Sequence, residues 1–136
     1  MARVAIHPGL FLDEPEPRLL AGACDACGER HFPAADFCPY CSADSITETE
    51  VGAVGTLYLH TVVNAAPPGY QGPVPYGFGL VDLPEGLRIV SRLVSEDLGD
   101  LRDGLPVRLV VEPLYEDGDG NDVVSWAYVP AAGANP

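Results

Sequence analysis

The sequence contains no lysine, and its seven arginines are outnumbered by twenty aspartates and glutamates, which gives a formal net charge of −13. The arginines stand singly along the chain and form no cluster. Nucleic-acid-binding surfaces depend on clustered Lys and Arg side chains that displace counterions from the phosphates. The charge therefore argues against DNA or RNA as the main ligand, and we expect no nucleic-acid partner.

Long hydrophobic runs are also missing. No apolar stretch approaches the roughly 20 residues that a membrane-spanning helix needs. The apolar stretch near the N-terminus is broken by His7, Pro8 and Gly9 and then becomes acidic. We expect neither a membrane span nor a signal peptide, and the expected location is cytoplasmic, where thiols stay reduced.

Uninterrupted segments are short, because 15 glycines and 14 prolines divide the chain with turns. Between residues 55 and 129, five segments alternate apolar and polar residues or are rich in β-branched residues, which predicts strands. They are GTLYLHTVV, YGFGLVDL, LRIVSRLVS, PVRLVVE and VVSWAYV. Five short strands with glycine-rich bends match a small closed barrel of the OB type.

All four cysteines lie within residues 24–41, as C-x2-C, ten residues and a second C-x2-C. Two residues between cysteines let one turn direct both sulfurs at one point, and two such turns form the tetrahedral four-sulfur site that Zn²⁺ prefers. A redox C-x-x-C normally stands alone at the start of a helix, and local disulfides belong to secreted proteins. The spacing predicts a structural zinc site formed by Cys24, Cys27, Cys38 and Cys41, with iron as the other metal that the same sulfurs could bind.

These features divide the chain into four parts. We predict that residues 1–20 are an N-terminal lead with a short helical turn around EPRLLAG, since two prolines exclude a longer helix upstream. Residues 21–48 form the zinc ribbon, residues 49–130 form the barrel, and residues 131–136 are a disordered tail. The predicted fold class is mainly β.

A catalytic constellation is absent from the sequence. We find no nucleophile elbow, phosphate-binding glycine loop or second metal cluster, and we attribute the glycine spacing in YGFGL to turn chemistry. His7 and His31 are interpreted as packing or surface residues, and His60 as a hydrogen-bonded histidine of the barrel. In the loop 65–75, prolines hold out Tyr70 and Val74, which either contact a partner or ligand or fold back over the barrel.

Taken together, these motifs resemble the DUF35 family, whose members join a rubredoxin-like zinc ribbon to an OB-fold. The resemblance spans nearly the whole chain and is carried by LLAGACDACGERHFPAADFCPYC, VGAVGTLYLHTVVN, PVPYGFGLVDLPEGLRIVSRLV and LRDGLPVRLVVE. One departure is Ser42, which stands where the family usually has glycine after the second cysteine pair.

The resemblance implies a noncatalytic accessory subunit of a thiolase-like acyl-CoA enzyme, whose partner supplies the catalytic residues. It implies retro-aldol cleavage of a steroid side-chain CoA ester by a thiolase-fold aldolase, in a heterotetramer built around the partner's dimer, or else scaffolding of an acetoacetyl-CoA thiolase. A CoA ester is then the ligand of the complex. The candidate partner- or CoA-binding residues are His60, Tyr70, Val74 and Tyr76.

Two other classes of function stay open. Zinc ribbons and OB-folds both bind nucleic acids in other proteins, although the charge of this chain opposes it. A free-standing enzyme that uses His60 and nearby tyrosines is the third reading.

Overall fold

The computed structural model describes residues 3–6, 9–13, 16–95 and 97–131, and almost all of the regular structure in them is β. One short 3-10 helix, Leu98–Asp100, lies in the connector before the last two strands. The strands are β1 (Arg3–Ala5), β2 (Phe11–Leu12), β3 (Arg18–Cys24), β4 (Arg30–His31), β5 (Ile46–Val51), β6 (Val54–Val63), β7 (Tyr76–Asp82), β8 (Arg88–Leu93), β9 (Pro106–Glu116) and β10 (Asp122–Pro130).

Strands β6 to β10 form a closed barrel. The sheet runs in the order β10-β8-β7-β6-β9, and β9 pairs with β10 to complete the circle. Closure between β10 and β8 is a short parallel contact in which Tyr128 lies beside Leu93 and the Tyr128 carbonyl accepts the N–H of Val94 at 2.9 Å. These five strands confirm the OB-type barrel that the sequence predicted.

A second, smaller sheet carries the cysteines. Its central strand β3 pairs with β2 and β4 on one side and with β5 on the other. The helical turn predicted around EPRLLAG is wrong, because residues from Arg18 to Cys24 are extended and pair with Ile46–Val51. Leu19 is fully buried in this strand, and tertiary pairing has overridden the local sequence signal.

Strand β1 adds to the barrel sheet in an arrangement that the sequence did not predict. It lies parallel to β10, with Arg3 beside Asp122 and Ala5 beside Val124. The first described strand of the chain is therefore held by the last one.

The apolar core is continuous between the two sheets. One cluster of buried side chains contains Leu19 and Val51 of the ribbon sheet together with Leu57, Val81 and Tyr128 of the barrel. The Tyr128 hydroxyl donates a hydrogen bond of 2.7 Å to the carbonyl oxygen of Gly52, the residue that follows β5. The barrel and the ribbon sheet are thus joined by a common apolar core as well as by the covalent backbone.

The glycines of YGFGL lie within β7 and not in a turn, which corrects their assignment to turn chemistry. Both are buried on the inner side of the barrel. A Cβ at Gly79 would overlap the carbonyl oxygen of Leu59, and one at Gly77 would lie 2.8 Å from side-chain carbons of Leu93 and Leu101. Glycine is required because neighbouring groups approach the β7 backbone closely.

No helix among the described residues is long and apolar enough to span a membrane. His7 and residues 132–136 of the predicted tail lie outside the described residues. The limits of the ribbon (21–48) and of the barrel (49–130) stay predictions. Strand β3 begins at Arg18, before residue 21, and strand β5 continues past residue 48 to Val51.

Candidate functional site

The four cysteine sulfurs converge on one point, as the spacing predicted. Their Sγ atoms all lie within 4.8 Å of one another. The Sγ atoms of Cys24 and Cys41 are 3.5 Å apart, and those of Cys27 and Cys38 are 3.6 Å apart. A tetrahedral Zn²⁺ with bonds of about 2.3 Å to four sulfurs places those sulfurs about 3.8 Å apart, so the donor set fits the ion.

The two cysteine turns have matching backbone geometry. In the first, the N–H of Gly28 donates to the Cys24 carbonyl at 2.9 Å, and in the second the N–H of Ser42 donates to the Cys38 carbonyl at 2.9 Å. Both residues have positive φ, 81° for Gly28 and 67° for Ser42. Ser42 stands where the family usually has glycine, and it adopts the left-handed backbone conformation that glycine favours.

Backbone donors also point at the sulfurs. The Cys27 N–H lies 3.4 Å from the Sγ of Cys24, and the Tyr40 N–H lies 3.4 Å from the Sγ of Cys38. Hydrogen bonds of this kind stabilise thiolates and prepare them as ligands.

The metal-free thiols differ in acidity. The pKa of Cys24 falls to about 7, mainly because of the Cys27 N–H. The N–H of Glu29 lowers the pKa of Cys27, but partial desolvation and the neighbouring thiols raise it to about 12. The cluster therefore holds protons without a metal, and ion binding must release them.

Four thiolates fill a tetrahedral Zn²⁺ and leave no position for water or substrate. The chemistry of this donor set is that of a structural cross-link between the two turns. The catalytic residues of any reaction must therefore lie elsewhere.

The ribbon is fixed to the barrel through a tryptophan that the sequence analysis did not select. Trp126 lies on β10, and its ring centroid is 5.8 Å from that of Phe11 and 5.8 Å from that of Phe32. Both phenylalanines belong to the ribbon side. Arg30 adds a hydrogen bond of 2.7 Å to the Glu85 carbonyl in the turn between β7 and β8. The available signal was that Trp126 is the single tryptophan of the chain.

Tyr70 and Tyr76 come together at a cleft on the barrel. Their ring centroids lie 4.8 Å apart with the ring planes tilted by 34°, and the Tyr70 hydroxyl donates to the Pro73 carbonyl at 2.8 Å. Burial raises the pKa of Tyr70. The cleft measures about 230 Å³ and is lined mainly by Tyr70, Tyr76, Phe78, Arg92 and Trp126.

Part of the loop 65–75 folds back over the barrel, which is one of the two arrangements that the sequence left open. A Cβ at Gly72 would lie 2.5 Å from the side chains of Leu114 and Tyr70, so this part of the loop is folded back on the barrel. Val74 stays exposed and does not line the cleft.

His60 lies apart from the two tyrosines. It pairs with Gly79 across the sheet, and its Nδ1 is 3.0 Å from an Asp103 carboxylate oxygen. The interpretation as a hydrogen-bonded barrel histidine agrees with this contact. The structure thus brings Tyr70 and Tyr76 together and leaves His60 and Val74 outside the cleft.

Comparison with known proteins agrees with the two-part architecture. Residues 13–47 match the family model described as the rubredoxin-like zinc ribbon domain of ChsH2, and residues 48–112 match its C-terminal OB-fold domain. The chain is 31% identical to a DUF35 domain-containing scaffold protein of Methanocaldococcus jannaschii, over 81% of this chain and 78% of that protein.

Two further relatives carry names that refer to enzyme complexes. The benzoylsuccinyl-CoA thiolase subunit BbsA of Thauera aromatica is 30% identical over 90% of this chain and 85% of its own length. A solved structure titled Ltp2-ChsH2(DUF35) aldolase superposes with a TM-score of 0.67 at 28% identity, over 85% of this chain and 86% of that one. With the four-sulfur ribbon and the closed barrel in place, these matches show that the chain belongs to the DUF35 family.

Proposed function

We propose that this chain is a noncatalytic accessory subunit of a thiolase-like acyl-CoA enzyme. The observation that carries the proposal is similarity over most of the chain both to a CoA thiolase subunit and to a DUF35 chain in an aldolase structure. The closed four-thiolate site supports it, because that metal has no open coordination position for chemistry.

The reaction that we propose for the complex is retro-aldol cleavage of a steroid side-chain CoA ester, catalysed by a thiolase-fold aldolase partner. The similarity to the Ltp2-ChsH2(DUF35) aldolase supports the aldolase class. A heterotetramer around the partner's dimer is the proposed assembly, and the reduced thiols required for metal binding fit a cytoplasmic location.

We propose that the aromatic cleft contributes to the CoA ester site. Four aromatic rings, those of Tyr70, Tyr76, Phe78 and Trp126, give the cleft an apolar lining suited to an acyl chain or a pantetheine arm. Arg92 is bonded to Glu112 at 2.8 Å, so its charge is largely satisfied within the chain. Because the chain is strongly acidic, the CoA phosphates must be held by the partner.

The test is coexpression with a thiolase-like subunit from the same organism, followed by purification on a tag carried by the partner. We expect a stable complex whose cleavage of a CoA ester disappears when this chain is omitted. A partner that is fully active alone, or that does not copurify with this chain, contradicts the proposal.

A thiolase complex is the second candidate, and the BbsA similarity favours it. Thiolysis consumes free CoA as a second substrate, whereas retro-aldol cleavage releases a carbonyl compound and a shortened acyl-CoA without it. The dependence of the complex on added CoA therefore separates the two reactions.

A further inference from the structure

An exposed apolar surface covers the outer side of three adjacent barrel strands. The inner positions of β7 and β8, such as Val81 and Ile89, are buried, so the alternate residues face outward. The register places Leu59, Leu80 and Val90 in one row across β6, β7 and β8, and Phe78 in the next row beside Arg92. We call this surface the barrel face and define it by Tyr58, Leu59, Phe78, Leu80, Arg88 and Val90.

Large side chains on the barrel face are unusually open to solvent. Leu59 is 49% exposed, Phe78 40% and Val90 51%. A contiguous exposed apolar surface of this kind on a small protein marks an interaction site more often than isolated exposed residues do. It also adjoins the aromatic cleft, since Phe78 and Val90 line both.

The barrel face differs in charge from the rest of the molecule. Strands β6, β7 and β8 contain one acidic residue, Asp82, and two basic residues, Arg88 and Arg92. Their formal charge is +1 in a chain of net charge −13, so the remainder of the chain carries −14. Arg88 is bonded to Asp82 at 2.5 Å and lies 3.6 Å above the Tyr58 ring, which leaves the face close to neutral.

We propose that the barrel face is the surface on which this chain docks to its protein partner, and that the partner presents an apolar centre surrounded by basic residues. An apolar centre matches Leu59, Phe78 and Val90, and basic surroundings match the acidic remainder of this chain. The identity of the partner as the thiolase-like subunit rests on the proposed function.

Charge also decides between this partner and the other possible occupants. A second copy of the chain would bring together two chains that each carry a formal net charge of −13, which is unfavourable. An anionic lipid surface is repelled for the same reason.

The test compares two substitutions on strand β6 for their effect on binding to the separately purified thiolase-like subunit. Leu59→Arg places a charge in the middle of the barrel face, at a position outside the cleft. Val54→Arg is the matched control, because Val54 is similarly exposed at 53% but is the first residue of β6 and lies beside β9, outside the barrel face. We expect Leu59→Arg to weaken binding of the partner at least about tenfold and Val54→Arg to change it less than about twofold, as titration calorimetry measures.

Both variants must retain the wild-type metal content and circular dichroism spectrum, and Phe78→Ala provides a second lesion if Leu59→Arg does not fold. Wild-type affinity in both barrel-face variants overturns the inference while the proposed function stands. Failure of the wild-type chain to bind the thiolase-like subunit overturns the proposed function, and with it the identity of the partner. A wild-type homodimer in sedimentation that Leu59→Arg dissociates overturns the choice of a basic partner.

Discussion

Tyr128 stabilises the junction of ribbon and barrel through one hydroxyl group. Its side chain is fully buried, its hydroxyl donates to the Gly52 carbonyl at 2.7 Å, and burial raises the pKa of the phenol. We expect Tyr128→Phe to lower the free energy of unfolding by about 1–3 kcal/mol, because a buried carbonyl loses its donor. Urea denaturation measures this loss.

Tyr115→Phe is the control for that experiment. Among the described residues, no side-chain hydrogen bond involves the Tyr115 hydroxyl, and its residue on β9 is only partly buried. An equal loss of stability in the two variants would contradict the role given to the Tyr128 hydroxyl.

At Gly79, a carbonyl oxygen of β6 approaches the backbone of β7 closely. A side chain there would overlap the Leu59 carbonyl oxygen, so Gly79→Ala forces the strands apart and is expected to cost about 1–3 kcal/mol. The comparison is Gly118→Ala, since nothing lies within 4 Å of a Cβ at that hairpin residue. Similar thermal midpoints for the two variants would show that β6 and β7 tolerate the extra atom.

At the residue scale, the sequence predicted what depends on local spacing and missed what depends on long-range contact. The doubled C-x2-C predicted the four cysteines whose sulfurs converge on one point, because each pair is arranged by its own turn. The need for glycine at position 79 comes from Leu59, on another strand, and nothing in the letters YGFGL reveals it.

At the scale of secondary-structure elements, a metal that links the two cysteine turns needs a sulfur ligand from each of the four cysteines. Cys41→Ser replaces a thiolate ligand with a hydroxyl, and we expect bound metal to fall from about one ion per chain to a small fraction. Plasma mass spectrometry of natively purified protein measures it. Ser42→Gly, which relieves the positive φ of 67° at the adjacent position, should keep the metal.

Acid should release the metal from the same turns. Protons compete with the metal for the four sulfurs, and Cys27 binds its proton tightly, with a pKa of about 12 in the metal-free chain. Metal affinity is therefore expected to fall as the pH falls.

The hairpin between β9 and β10 is held by one carboxylate. Asp117 accepts hydrogen bonds of 2.9 Å from the N–H groups of Asn121 and Asp119, and the Asn121 N–H is the main reason that its pKa lies below the usual value. A lowered pKa stabilises the fold above the pKa of the unfolded chain, and this contribution is lost as the pH falls through the folded value. We expect Asp117→Asn to be less stable than wild type at neutral pH, with a difference that shrinks as the pH falls below the ordinary aspartate pKa of about 4 and through the lowered folded value.

Asp119→Asn serves as the control in the same hairpin, since the Asp119 side chain accepts no hydrogen bond among the described residues. A pH-independent difference between Asp117→Asn and wild type would show that the charge of Asp117 has no effect on stability.

The element that the sequence predicted wrongly was β3. A short helical turn was predicted around EPRLLAG, but six residues of the strand pair with β5 across the cysteine segment. The five barrel strands were predictable because their alternation is local, whereas the pairing partner of β3 lies more than twenty residues away.

For the whole molecule, the shared core predicts that ribbon and barrel unfold together. Phe11 and Phe32 contact Trp126, and Leu19 and Val51 belong to the same buried cluster as the barrel residues. We expect a strong chelator to lower the melting temperature of the entire chain by several degrees or more, with one transition in both Trp126 fluorescence and far-ultraviolet circular dichroism.

Phe37→Ala is the matched control, because Phe37 is an exposed aromatic of the ribbon that does not belong to this core. The melting temperature of Phe37→Ala, with and without the chelator, should match that of the wild-type protein. A barrel that melts at an unchanged temperature after complete metal removal would show that the ribbon and barrel are independent.

The pairing of β1 with β10 has a consequence for biosynthesis. Strand β10 also completes the ladders with β9 and β8 and supplies Trp126 to the ribbon. During translation, β1 must wait for residues 122–130 to leave the ribosomal tunnel before its partner exists, and such distant contacts slow folding. Closure of the barrel therefore waits for the last strand to be synthesised, and a ribosome stalled before that strand would hold a sheet that is still open and a β1 that is still unpaired.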